Sequence, residues 1–181
     1  PHEISLDHFD GESLAYCWNY LRNPHRECYR LAQRKSCLTL YGNSFDISDL
    51  ESPALLVRRQ RYFCCRIRAK MDFCPQKENQ EAGILILATN LFYYKLSKRL
   101  MNGQSFICVE KRADDFCQIA ACVLAAVLPV YMWECSLQEK DSPACLRHIL
   151  TIFPLRRLKK RRTQSLNKKT CLVIYNQDRL F

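Results

Sequence analysis

Glycine is scarce in this chain: there are four in 181 residues, and Gly103 is the last. Loops that cradle phosphate spend several glycines on close backbone approach, so nucleotide-binding fingerprints are excluded. The scarcity is unusual for an all-β chain, where tight turns favour glycine. No apolar run reaches the ~18 residues of a membrane-spanning helix. The longest candidate, Ile119–Met132, is interrupted by Pro129. No C-x-x-C pair occurs, and the four histidines sit at no useful spacing from a cysteine, which argues against a structural zinc site or any other metal site. A G-x-S-x-G nucleophile elbow is also missing. No basic-then-apolar leader opens the chain. The expectation is a piece of a longer product, cytoplasmic or secreted with its precursor.

Apolar residues make up 48% and aromatic residues 11% of the chain, enough for a substantial core. Twelve cysteines are many for a chain this long, and small buried hydrophobes with one or two bridges are the expected reading. Net charge is +10, and eight of the basic residues fall between Arg156 and Lys169 with no acid among them. Such a block repels itself and reads as a solvated segment. It could serve as a polyanion-binding patch, but no interleaved aromatics support nucleic-acid binding, which is not expected. One domain over residues 1–150 and a basic tail over 151–181 is the expected division.

Strand patterns dominate the first half. Cys65, Ile67, Ala69, Met71 and Phe73 alternate with Arg66, Arg68, Lys70 and Asp72, the period of a half-buried strand. The first set is expected to face the core. A polar loop, CPQKENQEAG, leads into a second β-type run, ILILATNLFYY. Two long antiparallel strands joined this way form the seam of a sandwich. Shorter strands are expected at Leu6–Phe9, Tyr29–Leu31, Cys37–Tyr41 and Leu55–Val57, with Ser13–Leu21 mixed. The segment Asp114–Val130, rich in Ala, Leu and Val, reads as a helix or a buried run. Val130–Leu137 suits one later strand.

Four motifs occur in order: DHFDG (Asp7–Gly11), WNYLRNP (Trp18–Pro24), CLTLYG (Cys37–Gly42) and the block from Ser52 to Tyr94 beginning SPALLVRRQ. Together they resemble the C-terminal concanavalin A-like β-sandwich of glycoside hydrolase family 43, over about residues 6–100. The resemblance implies an all-β, concanavalin A-like jelly-roll sandwich with an atypical C-terminal tail, partly helical or disordered. It also implies a non-catalytic accessory role, either shaping the active site of a five-bladed catalytic propeller, in cis or in trans, or binding a plant cell-wall oligosaccharide or polysaccharide such as xylan. Two alternatives stay open: a C-terminal fragment of a complete β-xylosidase or arabinofuranosidase, and a polyanion-binding or structural protein using the basic tail. The family's glycine-rich segment, whose phenylalanine nears the partner's active site, has no counterpart in Met101–Phe181.

Hydrolysis of a glycoside needs two carboxylates facing each other across the sugar. Asp7, Asp10, Glu12, Asp46, Asp49, Glu51, Glu78 and Glu81 cluster instead in predicted turns, where turn or cap chemistry accounts for them. No catalytic residue, cofactor, metal or membrane contact is assigned. Sugars are held by aromatic faces and polar groups that fix hydroxyls. The available rings are Trp18, Tyr20, Tyr62, Phe92, Tyr93 and Tyr94. The carbohydrate-binding candidates are Trp18, Arg22, Arg58, Arg59, Tyr93 and Tyr94. Trp18 is as suited to the core as to a platform. Tyr93 and Tyr94 are neighbours on a strand, so one faces inward and the other is the better sugar contact.

Overall fold

The computed structural model describes residues 6–31, 33–60, 65–78, 80–125, 130–139, 146–154 and 174–176, with only the backbone described from residue 130 onward and for residues 65–66. Twelve strands account for most of these residues: β1 (Trp18–Tyr20), β2 (Tyr29–Arg30), β3 (Thr39–Leu40), β4 (Leu56–Arg59), β5 (Cys65–Asp72), β6 (Glu81–Thr89), β7 (Phe92–Met101), β8 (Gln104–Ala113), β9 (Phe116–Leu124), β10 (Val130–Glu139), β11 (Leu146–Pro154) and β12 (Ile174–Asn176). Seven of them form one sheet in the order β1-β4-β12-β6-β7-β8-β9, and three form a second in the order β11-β10-β5. A two-stranded β2-β3 ribbon stands apart. The architecture is the β-sandwich expected from the sequence.

Alternation on β5 is realised as expected. Ile67, Ala69 and Met71 are buried, whereas Arg68 is exposed and Lys70 half-buried. A one-residue slip would instead force positive charges into the core. Phe73 lies just past the strand and packs half-buried against the same core. Side chains of Cys65 and Arg66 lie outside the described residues.

Ala69 and Met71 meet Ile84, Leu96, Ile107 and Ala125 between the two sheets. On the opposite face of the large sheet, Leu85, Leu87 and Tyr93 pack on Ile47, Leu55 and Val57. The centre of β6 is therefore covered on both faces. That is why ILIL reads as an unbroken apolar run rather than an alternation. A third cluster joins Phe9, Trp18, Leu38 and Leu56.

Strands β6 to β9 form a continuous antiparallel meander. Asn102 and Gly103, at φ 50° and 72°, connect β7 to β8 in a two-residue turn. Both residues left-handed is the geometry that Asn-Gly favours and that matches the strand twist. Asp114, at φ 59°, plays the corresponding part before β9.

Four expectations need correction. Leu6–Phe9 is not a strand: Asp7 turns the chain by accepting a bond from the Phe9 amide (2.8 Å). The run ILILATNLFYY is broken by a turn, because Thr89 pairs with Phe92 and its hydroxyl accepts from the Leu91 amide. The long strands flanking the polar loop do not pair, since β5 pairs β10 while β6 pairs β7, and they face each other across the seam. Within Asp114–Val130 the expected helix is a strand: Phe116–Leu124 lies at the sheet's edge with every residue exposed, Ala125 after it is buried, and residues 126–129 lie outside the described residues. Pairing with β8, and a disulfide between the facing residues Cys108 and Cys122, override the helical preference of its alanines. Val130–Leu137 does form a strand, in β10. The basic stretch Arg156–Lys169, Tyr62 and Cys64 lie outside the described residues.

Candidate functional site

Strand pleating gives the large sheet two chemically different faces. On β7, Leu96 and Lys98 point toward the second sheet, while Tyr93, Lys95, Ser97 and Arg99 share the other face. Glu81 of β6 lies opposite Arg99, and Glu110 of β8 lies opposite Lys95. Four charged side chains from three strands therefore converge on that second face.

Their geometry is a closed ring. Lys95 Nζ lies 2.6 Å from Glu81 Oε1 and 3.1 Å from Glu110 Oε1. Arg99 Nη2 lies 2.7 Å from Glu81 Oε2 and 2.9 Å from Glu110 Oε2. Ser97 Oγ donates to Glu81 at 3.2 Å, and the Tyr93 hydroxyl donates to Glu110 at 3.1 Å. Glu110 is the most deeply set, its side chain only 9% exposed. Burial alone would raise its pKa, but the two cations outweigh that and hold the carboxyl below its ordinary range. Burial opposes the charge on Lys95 as well, and its two carboxylates win, raising its pKa. Burial, reinforced by Glu110, pushes the Tyr93 phenol up.

This ring floors an open cleft of about 1170 Å³. The loop at Gly42–Ile47 forms one wall, and Cys74, Gln76, Lys77, Glu78 and Gln80 form another. Phe45 stands in the first wall, its ring stacked on His25 with centroids 5.5 Å apart and planes 13° apart. Arg112 and Cys117 close the end toward β9. Although Cys117 is exposed, partial desolvation at the cleft end and the nearby Glu110 raise its thiol pKa, so it is no activated nucleophile. Among the described residues no group of three or more metal-ligating side chains converges.

Of the carbohydrate candidates read from the sequence, only Tyr93 lines this cleft, and its ring is buried in the cleft floor. Trp18 is a core residue: its indole N–H donates to Asp7 Oδ2 at 2.6 Å and its ring packs on Phe9. Arg58 lies over that ring, 5.9 Å from its centroid, and Arg59 is exposed at the end of β4. Arg22 donates to the carbonyls of Ile47 and Glu51, tying β1 to the loop that walls the cleft. Tyr94 is half-buried on the opposite face of the sheet, beneath Lys111. The six candidates do not form one site.

Glu81 stands at the strand start expected for it, opening β6, but pairs with two cations instead of serving turn or cap chemistry. The sequence reading gave no role to Lys95, Arg99 or Glu110. One signal was available for the first two: Tyr93, Lys95, Ser97 and Arg99 recur at every second position, one face of a strand.

Residues 6–132 match the family described as Beta xylosidase C-terminal Concanavalin A-like domain. Over 109 residues, 60% of its length, the chain is 33% identical to a non-reducing end alpha-L-arabinofuranosidase, BoGH43B, of Bacteroides ovatus. It spans 21% of that relative. Among solved structures it is similar to the Bacteroides ovatus Xyloglucan PUL GH43B, with a TM-score of 0.70 at 24% identity, covering 83% of this chain and 32% of that one. It is also similar to the GH43 BlXynB protein from Bacillus licheniformis, with a TM-score of 0.69 at 20% identity, covering 80% and 30%. Both structural likenesses concern the fold.

Proposed function

The chain belongs to the β-xylosidase C-terminal concanavalin A-like domain family of glycoside hydrolase family 43 enzymes, and from that premise we propose that it is a non-catalytic accessory domain that packs against a catalytic propeller and shapes its active site. The observation that carries the non-catalytic part is the ring on the cleft floor. A glycosidase needs one carboxyl with a raised pKa to donate a proton and a second, free carboxylate roughly 5 to 9.5 Å away. Glu81 and Glu110 are each bridged by both Lys95 and Arg99. Glu110 is held ionised, the opposite of a general acid. The chain also spans only a fifth to a third of the relatives it resembles, which leaves room in them for a separate catalytic unit.

The test is hydrolysis of nitrophenyl β-xyloside and nitrophenyl α-arabinofuranoside. The purified chain is expected to be inactive. A separately produced family 43 propeller is expected to co-elute with it and to gain kcat/KM. Turnover by the chain alone that disappears on replacing one carboxylate would overturn the reading.

A further inference from the structure

The middle of the large sheet holds a short strand from the far end of the chain. Strand β12 lies between β4 and β6 and runs parallel to both. Ile174, Tyr175 and Asn176 pair with Val57, Arg58 and Arg59 on one side, while Tyr175 and Asn176 pair with Ile86 and Leu87 on the other. Without this strand the sheet would divide into a β1-β4 pair and the β6–β9 meander. We propose that the slot between β4 and β6 is a strand-acceptor site that also takes Ile174–Asn176 from a second copy of the chain, giving a strand-exchanged dimer.

The slot requires an occupant. Leu56, Val57, Ile86 and Leu87 along its walls are all buried. Leu56 packs with Phe9, Trp18 and Leu38, and Val57, on the opposite face, with Leu85 and Leu87. Backbone N–H and C=O groups on an edge covered in this way are shielded from water, and each one left unpaired costs about as much as a lost hydrogen bond. A strand must therefore fill the gap. The pairing is made by the backbone, and its register is the same whichever copy supplies the strand, so a second copy offers the slot what the chain offers itself.

Chain length lets the donor be another copy. Strand β11 ends at Pro154 in the smaller sheet, and residues 155–173 separate it from Ile174 in the larger one. At ~3.3 Å per residue that stretch reaches ~60 Å, more than the ~40 Å diameter of a compact chain this long. Closure onto the chain's own slot through such a connection corresponds to an effective concentration on the order of millimolar. Exchange is thus decided by concentration rather than by new contacts. The eight basic residues between Arg156 and Lys169 fall in this stretch, so two exchanging copies bring like charges together and added salt favours the dimer.

Two full-length variants, Arg59→Cys and Asn176→Cys, test this, since these residues lie opposite each other in the slot and Arg59 is exposed. The two are unfolded in urea, mixed, refolded together in high salt and treated with a short bismaleimide. Mass spectrometry of the digested dimer fraction separates the engineered link from links among the chain's own twelve cysteines. Neither variant carries both new cysteines, so a link between positions 59 and 176 joins two chains. That link is expected in the dimer fraction, and diluting about tenfold before refolding is expected to lower the dimer-to-monomer ratio about tenfold. The double variant Arg59→Cys/Asn176→Cys, refolded dilute, is expected to carry the same link within the monomer. Circular dichroism spectra matching the wild type qualify each variant, and the neighbouring pair, Arg58→Cys with Tyr175→Cys, replaces one that fails this check. A link found only within single chains, a dimer that lacks it, or no link even in the double variant overturns the proposal.

Discussion

Replacing Glu110 with glutamine probes the charge ring most directly. The substitution keeps shape and an acceptor for the Tyr93 hydroxyl, but removes the charge facing Lys95 at 3.1 Å and Arg99 at 2.9 Å. Removing one partner of a buried ion pair costs about 3 to 5 kcal/mol, mostly because the other charge is stranded. Here Glu81 still engages both cations, at 2.6 and 2.7 Å, and is a third exposed. The stranding is thus partial, and a loss of about 2 to 4 kcal/mol is expected at neutral pH. With a urea slope of about 2 kcal/mol/M, the unfolding midpoint falls by about 1 to 2 M. The pH dependence gives a second check. Glu110 has a lower pKa folded than unfolded, so its contribution is complete above the ordinary glutamate value of about 4.3. It fades as pH falls through the folded value, where wild type and variant should converge. Lys95 runs the other way: its raised pKa stabilises fully below the ordinary lysine value and is lost as pH climbs through the folded one. A midpoint shift near zero at pH 7, or a shift of constant size down to strongly acidic pH, would refute the ring as a stabilising element.

Gly83→Ala should destabilise the sheet by about 3 kcal/mol or more, since an added Cβ would sit 2.6 Å from Ser97 Cα and nearer still to the Leu96 carbonyl oxygen, atoms of the β7 backbone that cannot step aside. Thermal melts of Gly42→Ala, where a Cβ meets nothing within 4 Å, provide the contrast, and equal melting points for the two variants would contradict the close approach. Trp18→Phe removes the indole donor from Asp7 and leaves a gap beside Phe9, with an expected loss of about 2 to 3 kcal/mol by urea unfolding.

Much of the fold was legible because some segments carry two signals at once. In β5 the apolar alternation and the intervening charges specify the same register. Trp18 suits the core as well as a platform, and in the structure it is buried with Phe9, Leu38 and Leu56. The end of β6 was not legible, because the turn between Thr89 and Phe92 contains neither glycine nor proline. Segment β9 misled for a different reason. Its alanines carry helical preference, and its alternation is disturbed by a register shift opposite Val109 and Glu110. Hydrogen bonding to β8 across the two-residue Asp114–Asp115 turn, which the composition of β9 does not reveal, makes it a strand. The cleft floor was hidden by topology. Glu81, Lys95 with Arg99, and Glu110 occupy three successive strands, and each alone resembles an ordinary solvated strand face. They become one network when the meander sets β6, β7 and β8 side by side.

That meander also bears on the order in which the chain can fold. Strands β7, β8 and β9 are joined by two-residue turns, so their pairing closes the smallest possible loops. The contact of β5 with β10 is far more distant in sequence, Asp72 lying opposite Val130. For a flexible chain the added closure entropy relative to a tight turn is on the order of 3 kcal/mol. A ladder that has already formed spans most of that separation rigidly, which shortens the loop still to be closed. The local hairpins therefore serve as a splint: they hold the distant edges within reach, and the second layer then docks at a fraction of the entropic cost an unstructured chain would face.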